Sequence, residues 1–273
     1  MPAGEAVARC ERCGASWRSI DGVWSQAEPF IPPGFSEMSR SHLAQLERSH
    51  FWFVSRDRLL RRCLARFAPG QAGPVLDLGC GSGRFLTSLK ETCPARVGVD
   101  GHRLSVEQAA KRDPAATWVH ADLLHVPFAD GQFAIAMALD VLEHLEPMPF
   151  LQEAHRLVRP GGMLLIAVPA FPFLWSGVDQ AAGHRCRYRV ASLRRELERA
   201  GWHWEGHTHY QFLLFPLLLL TRLGNRRPLT ALERQTPMWL NRLLGRVNQW
   251  EVSGLGALSL PWGSSLMAWA RRH

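Results

Sequence analysis

The chain has 273 residues, 47% of them hydrophobic and 21% charged, which is enough to bury a full core and points to one domain with additions rather than two equal domains. Its formal net charge of +8 is nearly all arginine, since Lys90 and Lys111 are the only lysines; that balance permits an acidic partner and specifies none. No apolar run reaches the ~18 residues of a membrane span, no cleavable signal pattern opens the chain, and Cys10, Cys13, Cys63, Cys80, Cys93 and Cys186 lay out no disulfide framework, so a cytoplasmic setting with reduced thiols is expected.

In residues 1–34, Cys10-Glu11-Arg12-Cys13-Gly14 is followed by Trp17 and Asp21-Gly22-Val23. One CxxC pair supplies two thiolates where a structural zinc site takes four ligands. The segment resembles the second half of a zinc ribbon whose first knuckle is missing. A degenerate ribbon without metal is expected, against zinc completed by a partner, by upstream residues, or by a histidine such as His42 or His50. Pro29 to Gly34 separates this piece from the main domain, 35–273.

Ser39 to Phe67 has a helical pattern, in which His50-Phe51-Trp52-Phe53 gives way to Arg56, Arg58, Arg61, Arg62 and Arg66. The aromatic trio either packs this helix on a sheet or roofs a ligand pocket. The arginines spread too widely around the helix for a single stripe, so a solvated face is expected.

Pro74 to Leu78 then reads as a buried strand that breaks into Gly79-Cys80-Gly81-Ser82-Gly83, with Asp77 facing the break. Glycine brings backbone within contact distance of a ligand because it has no Cβ and accepts positive φ. A dinucleotide fingerprint needs its third glycine at position 84, where Arg84 stands. A carboxylate there would repel phosphate and attract an ammonium or sulfonium. This spacing resembles motif I of the class I S-adenosylmethionine-dependent methyltransferases, in which reading Cys80 is a small buried filler.

The following units support the resemblance. Ala95 to Asp100 is a short apolar strand ending in an acid 17 positions after Gly83, near the distance at which open α/β folds place the acid that binds ribose hydroxyls. Thr117 to Leu123 carries Asp122, which the resemblance makes the acceptor for the adenine amino group. Phe133 to Leu139 is wholly apolar, and Arg159-Pro160-Gly161-Gly162 turns into the strand from Met163 to Val168. The resemblance therefore implies S-adenosylmethionine held by Asp77, Gly79, Cys80, Gly81, Gly83, Asp100, Gly101, Asp122, Leu123 and Leu139. It also implies a Rossmann-like α/β fold: a seven-stranded, mostly parallel sheet with one antiparallel strand near the end and helices on both faces.

Asp140, Glu143 and His144 follow the fourth of these strands and would share one face of a helical turn. They resemble the Glu-x-x-Glu-His segment of certain magnesium-dependent O-methyltransferases, with Asp for the first Glu. The same Leu-Glu-His-Leu string occurs in metal-independent relatives, where it shapes the methionine end of the pocket, and no metal site is expected. Beyond the fifth strand come Trp175, Asp179 and Gly183-His184-Arg185-Cys186-Arg187-Tyr188, similar to an element that borders the acceptor in related methyltransferases. His184 is the first candidate for a general base, its ordinary pKa of about 6.5 suiting neutral pH. His144 is the second, and Tyr188 either orients the acceptor or packs.

Leu193 to Ala200 reads as an amphipathic helix, Trp202 to His209 as a strand, and Gly263 to Arg271 as the last strand. Between those two strands, 211–260 forms a helical insertion or lid, opening on Phe212 to Leu220 with Pro216 inside. Its 211–227 portion, apolar and then basic, either packs against the sheet edge or contacts a membrane surface. The expected activity is methyl transfer to an oxygen or nitrogen of a small-molecule, sugar or lipid-linked acceptor. The alternatives are an RNA- or protein-directed methyltransferase and a cofactor-binding module without transfer. No stacked-aromatic RNA motif is apparent, so no specific nucleic acid is expected.

Overall fold

The computed structural model describes residues 6–9, 16–26, 50–67, 73–224, 237–255 and 259–273. Its centre is β4 (Val75–Leu78) and β7 (Phe133–Leu139), whose apolar runs are covered on both sides, as parallel strands require. Around them stand β5 (Arg96–Asp100), β6 (Thr117–His120) and β8 (Val158–Pro169), then β9 (Trp202–Tyr210) and β10 (Ser265–Arg272). β10 runs antiparallel to both β8 and β9, giving the one reversed strand expected near the end.

Among the described residues the sheet has ten strands, not seven, in the order β1-β2-β3-β6-β5-β4-β7-β8-β10-β9. The additional three come from the N-terminal segment: β1 (Ala6–Arg9), β2 (Ser16–Ile20) and β3 (Val23–Gln26). Asp21 and Gly22 both hold positive φ, as a two-residue hairpin turn between twisted strands demands. β3 then lies parallel on β6, covering what would be an open sheet edge, and Trp17 and Val23 join the core. Cys10, Cys13 and His42, the candidate zinc ligands of the N-terminal segment, lie outside the described residues.

Helices flank both faces. α1 (Phe51–Phe67) buries Leu59, Leu60 and Cys63; the part of its expected span before residue 50 lies outside the described residues. α2 (Arg84–Thr87) and α3 (Arg103–Arg112) follow β4 and β5. α4 (Pro147–Leu157) opens with Pro147, whose missing N–H would be unpaired there anyway, and buries Phe150, Leu151, Ala154 and Leu157 along one stripe. α5 (Gly177–Ala181) and α6 (Val190–Arg199) lead to β9. The insertion before β10 holds α7 (Phe215–Gly224) and α8 (Met238–Trp250), and no helix among the described residues is long and apolar enough to cross a membrane.

Strand order reverses between β4 and β7, since the chain proceeds outward from β4 through β5 to β6 and then resumes on the other side at β7. Open α/β sheets bind ligands in the crevice beyond the carboxyl ends of the strands at such a switch point. Three non-glycine residues hold positive φ within two positions of a strand end: Asp140 after β7, Phe171 after β8 and Gln211 after β9. Strain of roughly 1–3 kcal/mol per residue is what such conformations cost, and it gathers at functional edges.

Candidate active site

The glycine loop leaves β4 at Leu78, and its three glycines serve different purposes. A Cβ on Gly79 would strike Val141, and one on Gly83 would strike Trp118 and Ala109, so both keep backbone against packed side chains. A Cβ on Gly81 would meet no described atom within 4 Å, although all three residues hold positive φ. The loop is thus tight at its ends and open in the middle.

Acids stand in or just beyond the neighbouring strands β4, β5 and β6. Asp77 is buried, and its Oδ1 has no hydrogen-bond partner among the described residues. Burial pushes its carboxyl up to about 7; Arg56 opposes the shift, while Asp100 and Asp57 add to it. Asp100, at the end of β5, accepts from Gly81 N and from His102 N, both at 2.8 Å, and so ties the loop to the next strand end. A carboxylate oxygen can accept more than one hydrogen bond. His120 Nε2 lies 3.0 Å from the carbonyl of Gly101, fixing that strand end from below. Asp122 accepts from Leu124 N at 3.0 Å, placing Asp122 and the half-buried Leu123 on the turn after β6. Leu139 closes the row at the end of β7. Burial raises the Cys80 thiol well above its ordinary range, in keeping with a filler.

The second half of the site lies next to the first. Val141, which packs on Gly79, leads into a 3-10 turn at Leu142–His144. Arg185 N donates to the carbonyl of Glu143 at 2.7 Å, bringing the loop from α5 against this turn. Donor atoms of Glu143, His144 and His184 lie within 4.8 Å of one another, and the two imidazole centroids are 5.0 Å apart. Asp179 Oδ1 accepts from His184 Nδ1 at 2.9 Å and from Arg187 Nε at 2.7 Å. Burial alone would raise the Asp179 carboxyl, but the bonds from His184 and Arg187 hold it well below the usual carboxylate range. A proton on His184 Nδ1 puts the ring's lone pair on Nε2, which sits 3.9 Å from Glu143 Oε1. His144 Nδ1 faces the carbonyl of Gly183 at 3.3 Å, which likewise puts its lone pair on Nε2. Burial, with His184 beside it, lowers the His144 pKa and favours the neutral ring.

Glu143 is buried, and neither of its oxygens has a hydrogen-bond partner among the described residues. Burial and then the neighbouring Asp140 push its carboxyl well above the ordinary range. Asp140 is drawn away from the expected Asp140, Glu143 and His144 grouping: it pairs with Arg56 of α1. That pair also corrects the reading of α1. Arg58, Arg61, Arg62 and Arg66 are exposed as expected, but Arg56 is buried and lies over the Trp52 ring at 4.6 Å. Tyr188 is buried in the core, its backbone pinned to the end of β8 by Tyr188 N donating to the Pro169 carbonyl at 2.8 Å.

Residues 76–166 match a family model described as a methyltransferase domain. A protein of Mycolicibacterium smegmatis, described as a probable S-adenosylmethionine-dependent methyltransferase, is 28% identical over 164 residues, covering 58% of this chain and 61% of that protein. The 2-phytyl-1,4-naphtoquinone methyltransferase of Nostoc punctiforme is 32% identical over 128 residues, 41% of this chain and 54% of that protein. The matched stretch is therefore less than two thirds of either relative. Among solved structures, geranyl diphosphate C-methyltransferase from Streptomyces coelicolor A3(2) is similar with a TM-score of 0.56 at 17% identity, over 90% of this chain and 87% of that one. At that identity the likeness shows the fold.

Proposed function

We propose that this chain, which carries a class I S-adenosylmethionine-dependent methyltransferase domain, moves a methyl group to an oxygen or nitrogen of a small-molecule, sugar or lipid-linked acceptor. The observation that carries the reading is the opening at Gly81 beside the buried Asp77, whose Oδ1 has no hydrogen-bond partner among the described residues. A compact cationic ligand fits that pairing, because its ammonium would satisfy the carboxylate and its body would occupy the space that a Cβ at Gly81 would enter. In this reading Asp77 takes the amino group of S-adenosylmethionine, Asp100 its ribose hydroxyls and Asp122 its adenine amino group. When bound, S-adenosylmethionine supplies a sulfonium methyl carbon, whose bond to sulfur breaks with the electron pair leaving on sulfur.

The chain's own part in the chemistry is alignment and proton removal. His184 Nε2 accepts the proton of the acceptor O–H or N–H as the acceptor atom bonds to the methyl carbon. Asp179 holds the opposite ring nitrogen and balances the imidazolium that forms. The quinone methyltransferase among the relatives supports an acceptor with an apolar tail.

A second reading of the cluster rests on the buried Glu143 carboxyl, which has no hydrogen-bond partner among the described residues and lies beside two imidazoles. Two imidazole nitrogens and one carboxylate are a donor set suited to a divalent transition metal, and both rings already have Nδ1 held by an oxygen, as metal-ligating histidines usually do. There the metal would act as a Lewis acid on the acceptor oxygen, in place of His184 as base.

Calorimetry with S-adenosylmethionine tests the core of the proposal. Micromolar-range binding, lost in both Asp77→Ala and Asp100→Ala, is the expected result; unchanged binding in both variants would sink the pocket assignment.

A further inference from the structure

Helix α8 carries apolar side chains on both sides: Leu240, Leu244 and Val247 are half-buried, while Trp239, Leu243 and Trp250 are exposed. Its inward side carries asparagines: Asn241 Oδ1 accepts from Phe51 N at 2.8 Å, and Asn248 Nδ2 donates to Tyr210 Oη at 2.9 Å. Its outward side carries Trp239, Leu243, Arg246 and Trp250, spaced four, three and four residues apart and hence on one stripe, with Arg242 alongside. Trp239 is 68% exposed and Trp250 78%. Glu251, directly after this helix, accepts from Gln211 N at 2.7 Å and Leu213 N at 2.9 Å, which places the end of α8 at the start of α7. There Leu217 and Leu220, three residues apart, are also exposed.

Charge decides what covers this face. Residues 212–250 contain six arginines and one acid, Glu233, and the exposed stripe of α8 sets Arg246 between Leu243 and Trp250. A protein partner's apolar surface would bury those guanidinium groups. The headgroup region of a bilayer receives tryptophan rings and leucines on one side and solvates arginines on the other, and anionic lipid adds attraction for each arginine. We propose that the outward face of α8, with the exposed leucines of α7, docks on an anionic lipid bilayer. The contact lies on α8 rather than within 211–227 alone, and it does not depend on methyl transfer. The docked face adjoins the site: Phe215 of α7 lies 5.8 Å from Phe171, the strained residue that opens the segment leading to Asp179.

Co-sedimentation with vesicles tests this on the full chain, using phosphatidylcholine alone and phosphatidylcholine with about 30% phosphatidylglycerol. The expected result is binding to the anionic vesicles at least roughly tenfold above the neutral ones, weakened by salt. Trp239→Ser with Trp250→Ser, and separately Arg242→Glu with Arg246→Glu, should each lower that binding roughly tenfold while leaving the circular dichroism and Tm of these surface variants unchanged. Failure to sediment with anionic vesicles, or equal binding by both variants, overturns the proposal. So does a wild-type dimer in light scattering that the tryptophan variant splits, since a second copy of the chain would then be the occupant.

Discussion

His184 Nδ1 lies 2.9 Å from Asp179 Oδ1, and the same oxygen takes Arg187 Nε at 2.7 Å. One carboxylate therefore sets the tautomer of the imidazole and shares its charge with a guanidinium, leaving Nε2 as the basic nitrogen of the ring. His184→Ala should lower turnover by roughly 10²–10⁴-fold with S-adenosylmethionine affinity unchanged. Asp179→Asn should also lower turnover and alter the pH profile, because the amide no longer dictates which ring nitrogen bears the proton. Loss of folding in His184→Ala, seen as a collapsed melting transition, would make the histidine structural.

The cluster of Glu143, His144 and His184 separates base from metal ligand by one treatment. With His184 acting as base, exhaustive chelation followed by dialysis leaves turnover within about twofold of the untreated protein. A far larger fall, restored by manganese or zinc and absent from Glu143→Gln, would give the cluster to a metal instead.

Gly81 and Gly83 should respond oppositely to alanine. At Gly83 a methyl group collides with the buried Trp118 ring, so Gly83→Ala should lower Tm strongly. At Gly81 there is room among the described residues, and the cost is that of positive φ, about 1–2 kcal/mol. Gly81→Ala should stay folded and lose S-adenosylmethionine affinity, read as a modest Tm change beside a large calorimetric one. Undiminished affinity would place the ligand elsewhere.

The strand-end acids were legible because local chemistry places them: Asp77 and Asp100 stand in short, largely apolar strands, and Asp122 lies just beyond a β-rich stretch. Arg56 was not legible. Its partner Asp140 is 84 positions away, and an arginine among four solvated ones carries no local mark of burial. The sequence marks Glu143 as a residue of interest but carries no sign that its carboxyl is buried, since its environment is made by Asp140, Arg187 and the distant His184 loop. The N-terminal strands were hidden by the CxxC pair, which drew the segment toward a ribbon, while the alternating Trp17 and Ser19 and the Asp21-Gly22 turn already fitted a hairpin.

That hairpin makes a stability prediction. Trp17 is buried in the main core through β2, although β2 belongs to the added strands. Trp17→Ala should destabilise the protein by about 3–5 kcal/mol, as core aromatic truncations do. If the denaturation midpoint moved by no more than a surface substitution would cause, β1 to β3 would be an appendage rather than part of the folding unit.

Asp77 couples binding to stability through pH. Its folded-state pKa is about 7 against an ordinary 3.8, so between those values the folded chain keeps a proton that the unfolded chain has released. Stability from this group is present below about pH 4 and lost as pH rises through 7, because ionised Asp77 is buried charge. In the ligand-free protein, Asp77→Asn should melt a few degrees, about 2–5 °C, above wild type near pH 8 and level with it near pH 4. An ammonium ligand prefers the ionised carboxylate, so wild-type affinity for S-adenosylmethionine should climb through pH 7, whereas the asparagine variant stays weak throughout. Parallel melting curves and titrations across this range check both signs. An affinity that is flat from pH 6 to about pH 8 would mean that Asp77 does not receive the amino group.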